Sequence, residues 1–150
     1  MLGRLFATCC LAIACGGALH TTTSADSLAK EVEAALPSLR RDTATVFGLS
    51  TEGAFIEADY QGMTLRRLHS EFFGESGRAV ENYYFDSGLR LVLRTEFKYD
   101  RPFSGRVTDS VTVRFDLTVP AVSRRLVDSL TTSAQELLTS MTATGEGNRR

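Results

Sequence analysis

Apolar and polar residues alternate strictly over residues 89–99. Successive side chains of a strand point to opposite faces, so this segment is predicted to be a β-strand. One alternate set is mainly apolar and comprises Leu89, Leu91, Leu93, Thr95, Phe97 and Tyr99. The other is mainly charged and comprises Arg90, Val92, Arg94, Glu96 and Lys98. We therefore expect the first set to be buried and the second to face water.

Four further segments carry strand patterns between turn-forming residues: 53–61, 63–73, 79–85 and 107–117. The tripeptide Asp86-Ser87-Gly88 separates two of the strands and predicts a short hairpin loop, with a glycine that is free to adopt positive φ. The connection over residues 40–50 is less regular, with a short strand possible at residues 45–49.

Helical periodicity flanks the strands on both sides. Residues 26–36 repeat apolar positions at helical spacing, and Pro37 is expected to end that helix. A longer apolar stripe runs from Val122 to Met141 after Pro120. These patterns predict an α+β fold, in which an antiparallel β-meander of about five strands packs its inner face against an N-terminal helix and a long C-terminal helix.

Composition indicates one folded domain, predicted at residues 26–143 and followed by a disordered tail at 144–150. The chain has 150 residues, with 17 Lys and Arg against 18 Asp and Glu, so its charge does not favour a nucleic-acid partner. The three cysteines, at positions 9, 10 and 15, all precede that domain. A disulfide framework or cysteine ligands within the domain are therefore excluded.

The N-terminus has the pattern of an export signal. Residues 1–14 carry one positive charge, Arg4, followed by an apolar run too short to span a bilayer, which predicts a signal peptide. The segment Ala12-Ile13-Ala14-Cys15 resembles the lipobox of bacterial lipoproteins. The resemblance implies that Cys15 is acylated with palmitate-type chains, that residues 15–25 form a tether, and that Gly16 directs the protein to the outer membrane. Ordinary signal cleavage, which would leave Cys15 a free thiol, is the alternative.

A second resemblance covers the strand region. The segments GLSTEGAFIEADYQG, FGESGR, YYFDSG and RTEFKYDRPFSG resemble a scattered set of small bacterial secreted proteins and lipoproteins whose function is uncharacterised. They are more distantly similar to the Tyr-Tyr-x-x-Gly hairpins of MORN-like repeats. Both resemblances imply a meander, and neither implies a catalytic residue.

Candidate catalytic chemistry is sparse in the domain. His69 is its one histidine, and on a strand it shares a face with Glu71, so the two side chains can form either an acid–base pair or a solvated surface pair. No nucleophile elbow, phosphate-binding loop or calcium loop is present. We expect no metal, no cofactor and no catalytic residue, with a small periplasmic enzyme using His69 as the alternative.

Candidate binding residues come from the predicted wet face of the hairpin and from aromatic residues expected to be exposed. The exposed aromatic candidates are Phe55, one of Tyr83 and Tyr84, and Phe103. The binding set is Phe55, Tyr84, Arg90, Arg94 and Lys98. An exposed aromatic and arginine surface suits protein recognition. We therefore expect a non-enzymatic binding or accessory module that is held at the bacterial cell envelope by a membrane anchor and faces the periplasm.

Overall fold

The computed structural model describes residues 24–147, and the predicted signal peptide, Cys15 and most of the tether lie outside them. Two α-helices flank a six-stranded sheet: α1 (Ala25–Ala35), β1 (Arg40–Val46), β2 (Ala54–Gln61), β3 (Thr64–Gly74), β4 (Gly77–Phe85), β5 (Leu89–Tyr99), β6 (Val107–Asp116) and α2 (Arg124–Gly147). All neighbouring strands are antiparallel, in the order β1-β2-β3-β4-β5-β6. The predicted α+β meander is confirmed.

The meander has one strand more than predicted, because the irregular segment before β2 forms β1. Ala44 and Val46 pair with Ile56 and Ala54 of β2, and Val46 is buried in the core. The guanidinium of Arg40 lies 4.4 Å from the centre of the Tyr60 ring. The charged start of β1 concealed this strand from the alternation pattern, since an edge strand needs few apolar residues.

The helices pack on opposite faces of the sheet, whereas the prediction placed both on one inner face. On the α2 face, Ala134, Leu137 and Met141 contact a core that includes Ile56 and Tyr83. On the α1 face, the core comprises Ala25, Leu28, Val32, Tyr84 and Leu91. An antiparallel sheet with apolar side chains on both faces must be covered on both, and each helix supplies one apolar stripe.

Because both faces of the sheet are covered, the exposure of several residues in the β4–β5 hairpin differs from the prediction. Val92 belongs to the alternate set expected to face water, yet it is buried on the α2 face beside Tyr83. Tyr83 and Tyr84 are both buried, so the expectation that one of them is exposed is wrong. Phe103 is 65% exposed, as predicted. The hairpin loop is present, but Gly88 does not adopt positive φ.

Charged residues are enclosed beneath α1. The Asp59 side chain is fully buried and accepts hydrogen bonds from Arg67 Nε at 2.8 Å and from Arg41 Nε at 2.7 Å. Arg67 also contacts Glu57, and Glu33 of α1 lies 3.4 Å from Arg67 Nη1. Buried charges require partners of opposite sign, and these contacts supply them at the point where α1 crosses the sheet.

Both helix ends depart slightly from the sequence expectation. The Ser24 hydroxyl accepts a hydrogen bond from Ser27 N at 3.2 Å and caps α1, and Pro37 lies in the 3₁₀ turn that follows the helix. The predicted disordered tail is helical as far as Gly147, since no proline interrupts α2.

Within residues 24–147, neither helix is long and apolar enough to cross a membrane.

Gly77 provides a test of the β4–β5 register. A Cβ atom at this position would overlap the carbonyl oxygen of Phe97 on the neighbouring strand. We expect Gly77→Ala to lower the free energy of unfolding by about 1–3 kcal/mol, because backbone must move to accept the methyl group.

The matched control for this substitution is Gly88→Ala, in the hairpin loop. A Cβ there meets no atom within 4 Å, and the backbone does not adopt positive φ. Gly88→Ala should change the free energy of unfolding by no more than about 0.5 kcal/mol. Urea unfolding measures both variants. Equal effects of the two substitutions would contradict the register.

Candidate functional site

The structure separates the five predicted binding residues. Arg94 and Lys98 lie on the α2 face, near the end of the sheet where β3 turns into β4. Arg90 is on the same strand but eight residues from Lys98, roughly 26 Å along an extended chain. Phe55 is on the α1 face, and Tyr84 is buried there with its hydroxyl donating to Glu33 at 2.8 Å. The aromatic and arginine side chains therefore do not form one surface.

Arg94 is the centre of a polar cluster on the α2 face. It contacts the buried carboxylate of Glu81 directly across the β4–β5 pair, and its Nε donates to Glu96 Oε1 at 2.9 Å. The Tyr83 hydroxyl donates to the other Glu81 oxygen at 2.6 Å. Both oxygens of Glu81 are thus engaged, and the Arg94 guanidinium is held in place by two carboxylates.

The pKa values of this cluster follow its burial and its ion pairs. Burial raises the pKa of Tyr83, and the hydrogen bond to Glu81 raises it further. Burial alone would lower the pKa of Arg94, but hydrogen bonds to Glu96 and Glu81 outweigh it, so the net pKa is raised. Arg94 remains a cation and Tyr83 a neutral donor at every physiological pH.

An open groove begins at this cluster. It has a volume of about 710 Å³ and is bounded by the β3–β4 turn, the β5–β6 loop and the α2 face of the sheet. Its lining includes Phe72, Ala79, Arg94, Glu96, Lys98 and Val111. Val111 is 59% exposed, and Lys98 forms no ion pair within the described part of the chain. The groove therefore offers apolar contact and an ammonium group, with Asp109 at the facing position on β6.

A smaller cleft lies between α2 and the same face of the sheet. Its volume is about 380 Å³, and its lining is mainly apolar, with Tyr83, Val92 and Phe115 from the sheet and Leu130 and Leu137 from α2. The lining of both cavities includes Phe72 and Arg94. Because these two side chains are shared, the polar cluster lies at the junction of an open groove and an apolar cleft.

Ser70 has an unusual position on this face. It pairs with Ile56 on one side and with Glu81 on the other, is fully buried, and its hydroxyl has no hydrogen-bond partner within the described residues. An unsatisfied buried hydroxyl costs stability. It lines neither of the cavities described above, so we assign it no contact with a ligand.

His69 lies on the opposite, α1 face. Its Nδ1 is 2.8 Å from Asn82 Oδ1, and its Nε2 is 3.6 Å from Glu71 Oε1. Glu71 also pairs with Arg78 at 3.3 Å. The predicted pair is present, and neither the groove nor the cleft is lined by His69. Among the residues described, no three acidic, histidine or cysteine side chains are placed to hold a metal ion.

Sequence reasoning found Arg94 and Lys98 but missed Glu81, Phe72 and Val111. Alternation on β4 already places Glu81 on the same face as Tyr83, and the hairpin loop sets it opposite Arg94. That register could have identified the ion pair. Phe72 belongs to β3, two strands from Arg94, so its approach depends on the assembly of three strands. Val111 is on the neighbouring strand β6, opposite Glu96, and the long β5–β6 loop hid that register from the sequence.

Comparisons with protein-family models, with curated proteins and with solved structures find no significant match to this chain. The functional argument therefore depends on the geometry of the site.

Replacing Glu81 tests whether this carboxylate holds Arg94. Glu81→Gln removes the charge that faces Arg94 and should lower the free energy of unfolding by about 2 kcal/mol, since it weakens a largely buried, charge-assisted contact. Urea unfolding provides the measurement. Glu96→Gln is the matched control, because its carboxylate contacts the same guanidinium but is mostly exposed. Glu96→Gln should lower the free energy of unfolding by less than about 1 kcal/mol. A larger loss from Glu96→Gln than from Glu81→Gln would contradict the role of Glu81 in holding Arg94.

Proposed function

We propose that this protein is a non-enzymatic binding module, and that the groove receives a segment of a protein partner at the bacterial cell envelope. The observation that carries the proposal is the position of Arg94, fixed by Glu81 and Glu96 where the groove meets the apolar cleft. A cation held in place beside apolar surface is typical of protein recognition sites, where arginine and aromatic residues are enriched.

The lining of the groove indicates the chemistry of the partner. Phe72, Ala79 and Val111 offer contact to an apolar side chain, while Lys98 offers a cation to a carboxylate. A partner segment that carries an apolar and an acidic residue close together would satisfy both. Such a segment loses little by desolvation, because the groove is open to water along its length.

The alternative, a small periplasmic enzyme using His69, has less support. Catalysis by His69 and Glu71 requires a substrate within hydrogen-bonding reach of the imidazole. The imidazole already contacts Asn82, and neither cavity described here reaches it. The binding proposal therefore uses the α2 face and assigns His69 no role.

Attachment to the envelope is the second part of the proposal. The lipobox-like segment that ends at Cys15 supports acylation of its thiol, and α1 begins at Ala25, ten residues later. Two or more acyl chains on one residue anchor a protein stably, at about 0.8 kcal/mol per buried methylene. We place the domain on the periplasmic side of the outer membrane, joined to the anchor by this short tether.

Site-specific photocrosslinking in cells tests the groove. A probe at Lys98 should give an adduct with one recurrent protein, while a probe at Phe55, on the opposite face, should not give that adduct. Mass spectrometry of the adducts identifies the partner. An adduct that recurs at Phe55 and is absent at Lys98 would contradict the groove proposal.

Charge reversal then measures the contribution of Lys98 to affinity. With the partner identified, Lys98→Glu should weaken binding about tenfold, because a carboxylate would face the acidic segment. Lys30→Glu is the matched control: it reverses the chain's other lysine, which is exposed on α1. Titration calorimetry of both variants provides the comparison, and equal affinities would refute a role for Lys98.

Cys15→Ser tests the anchor independently of the groove. We expect the variant to leave the membrane fraction and to lose incorporation of labelled palmitate, since the thiol is the acceptor of the acyl chain. Fractionation and metabolic labelling measure the two effects. A variant that remains in the membrane fraction and still incorporates palmitate would rule out acylation at Cys15.

A further inference from the structure

β6 is an exposed edge of the sheet. Its ten residues pair with β5 on one side, and within the described residues no strand pairs with the other side. Eight of the ten residues are exposed, and Val111 and Val113 are 59% and 43% exposed on the α2 face. A long edge strand with apolar side chains is a template for pairing with another chain.

The other edge of the sheet is protected in two ways. β1 is contacted by α2, with Ala44 and Val46 packed in the core beneath that helix, and it begins with the charged residues Arg40, Arg41 and Asp42. β6 has no lysine or proline, and its register with β5 is unbroken from Asp109 to Asp116. Proteins usually block free edges with such residues or with bulges. β6 also carries charged residues, Asp109, Arg114 and Asp116, so the contact of α2 with β1 is what distinguishes the two edges. β6 is the more accessible of the two.

The direction of the free backbone groups on β6 follows from one hydrogen bond. Leu117 N donates to Arg90 O at 2.9 Å, so the backbone N–H group of residue 117 points toward β5. Because hydrogen-bonding direction alternates along a strand, Ser110, Thr112 and Arg114 direct their N–H and C=O groups outward. These groups are correctly spaced to pair with a second strand.

We propose that β6 pairs antiparallel with β6 of a second copy of this chain, about a two-fold axis at Thr112. A two-fold axis makes the interface self-complementary and closed, and the two sheets join into one of twelve strands. The dimer extends beyond the binding proposal above, since it uses the backbone of the strand edge, although the side chain of Val111 also lines the groove.

The side chains of β6 are compatible with this register. Across the interface, Thr112 faces Thr112 of the second copy, Val111 faces Val113, and Ser110 faces Arg114. No two like charges are directly opposite, and Arg114 is already compensated within its own chain by Asp26 at 2.6 Å and Asp116 at 2.8 Å. On the other side of the strand, Thr112 hydrogen-bonds to Thr95 at 2.9 Å, so the pairing continues a threonine row across both sheets.

Centring the axis on Ser110 or Arg114 shortens the paired segment of β6. A shift that centres the axis on Arg114 would place two guanidinium groups face to face, which disfavours it. The register centred on Thr112 pairs residues 108–116 over their full length and brings together the two exposed valines. This register therefore combines a long paired segment with contact between the exposed valines.

The dimer also places the starts of both α1 helices on one side. A two-fold axis perpendicular to the sheet keeps the α1 faces of the two copies together, and Asp26 of α1 contacts Arg114 two residues from the axis. Both α1 helices would therefore begin near the axis on one side of the joined sheet. This placement suits two lipid anchors in one membrane, a consequence that depends on the proposed acylation, whereas the pairing itself does not.

Disulfide trapping tests the pairing. The described domain contains no cysteine, so the full chain with Cys9, Cys10 and Cys15 replaced by serine provides a thiol-free background. In this background Thr112→Cys should form a covalent dimer on mild oxidation, because its Cα and that of the second copy would be about 5.5 Å apart.

Thr95→Cys is the matched control. Thr95 lies on β5, and its side chain hydrogen-bonds to that of Thr112. In the dimer the two Thr95 residues would be separated by three strand spacings, about 14 Å. That separation is too long for a disulfide. We expect at least about tenfold more covalent dimer from Thr112→Cys than from Thr95→Cys at the same protein concentration.

Analytical ultracentrifugation of the thiol-free chain provides a second measurement. It should give a dimer that Val113→Lys converts to monomer, because lysine on an edge strand opposes pairing, and circular dichroism should show the fold of that variant unchanged. A monomer at every concentration with equal trapping at positions 112 and 95 would overturn the proposal. Open-ended assemblies, expected if β6 paired with β1 of another copy, would overturn it as well. Neither result would affect the groove, which is tested at Lys98.

Discussion

Two adjacent tyrosines on β4 connect the two layers of core. Consecutive side chains of a strand point to opposite faces, so Tyr83 enters the core beneath α2 and Tyr84 the core beneath α1. Each buried aromatic side chain contributes about 2–3 kcal/mol of apolar burial, and each hydroxyl donates to a glutamate, Glu81 or Glu33. Because both rings require cover, removal of either helix would expose the core beneath it.

The same arrangement explains why charges lie within the protein on both faces. Glu81 and Asp59 are buried acids on opposite sides of the sheet, and each is neutralised by arginine, Arg94 in the first case and Arg67 with Arg41 in the second. The planar guanidinium serves this purpose better than an ammonium group because it can contact two carboxylates at once. On the α1 face the charges fasten a helix to the sheet, whereas on the α2 face they border open space.

Much of this architecture was predictable from short-range patterns. Alternation located β5 within the right residues, and helical spacing located α1 and most of α2. The pattern could not reveal which alternate set would be covered, because Val92 was one apolar residue among four charged ones and the cover came from a helix more than thirty residues away. For the candidate site, Arg94 and Lys98 were identified because they are basic residues on the predicted wet face of the hairpin. Glu81 and Phe72 become their neighbours only when the sheet assembles.

Gly77 has a consequence for the divergence of this fold. At this position the backbones of β4 and β5 leave no space for any side chain, and the constraint arises from the carbonyl of Phe97, which substitution of the phenylalanine cannot relieve. A lineage can therefore exchange most surface residues of the hairpin freely while this position remains glycine. A distant homologue that shares the meander but has another residue there must have altered the path of a neighbouring strand. One residue without a side chain thus sets how closely two neighbouring backbones can approach.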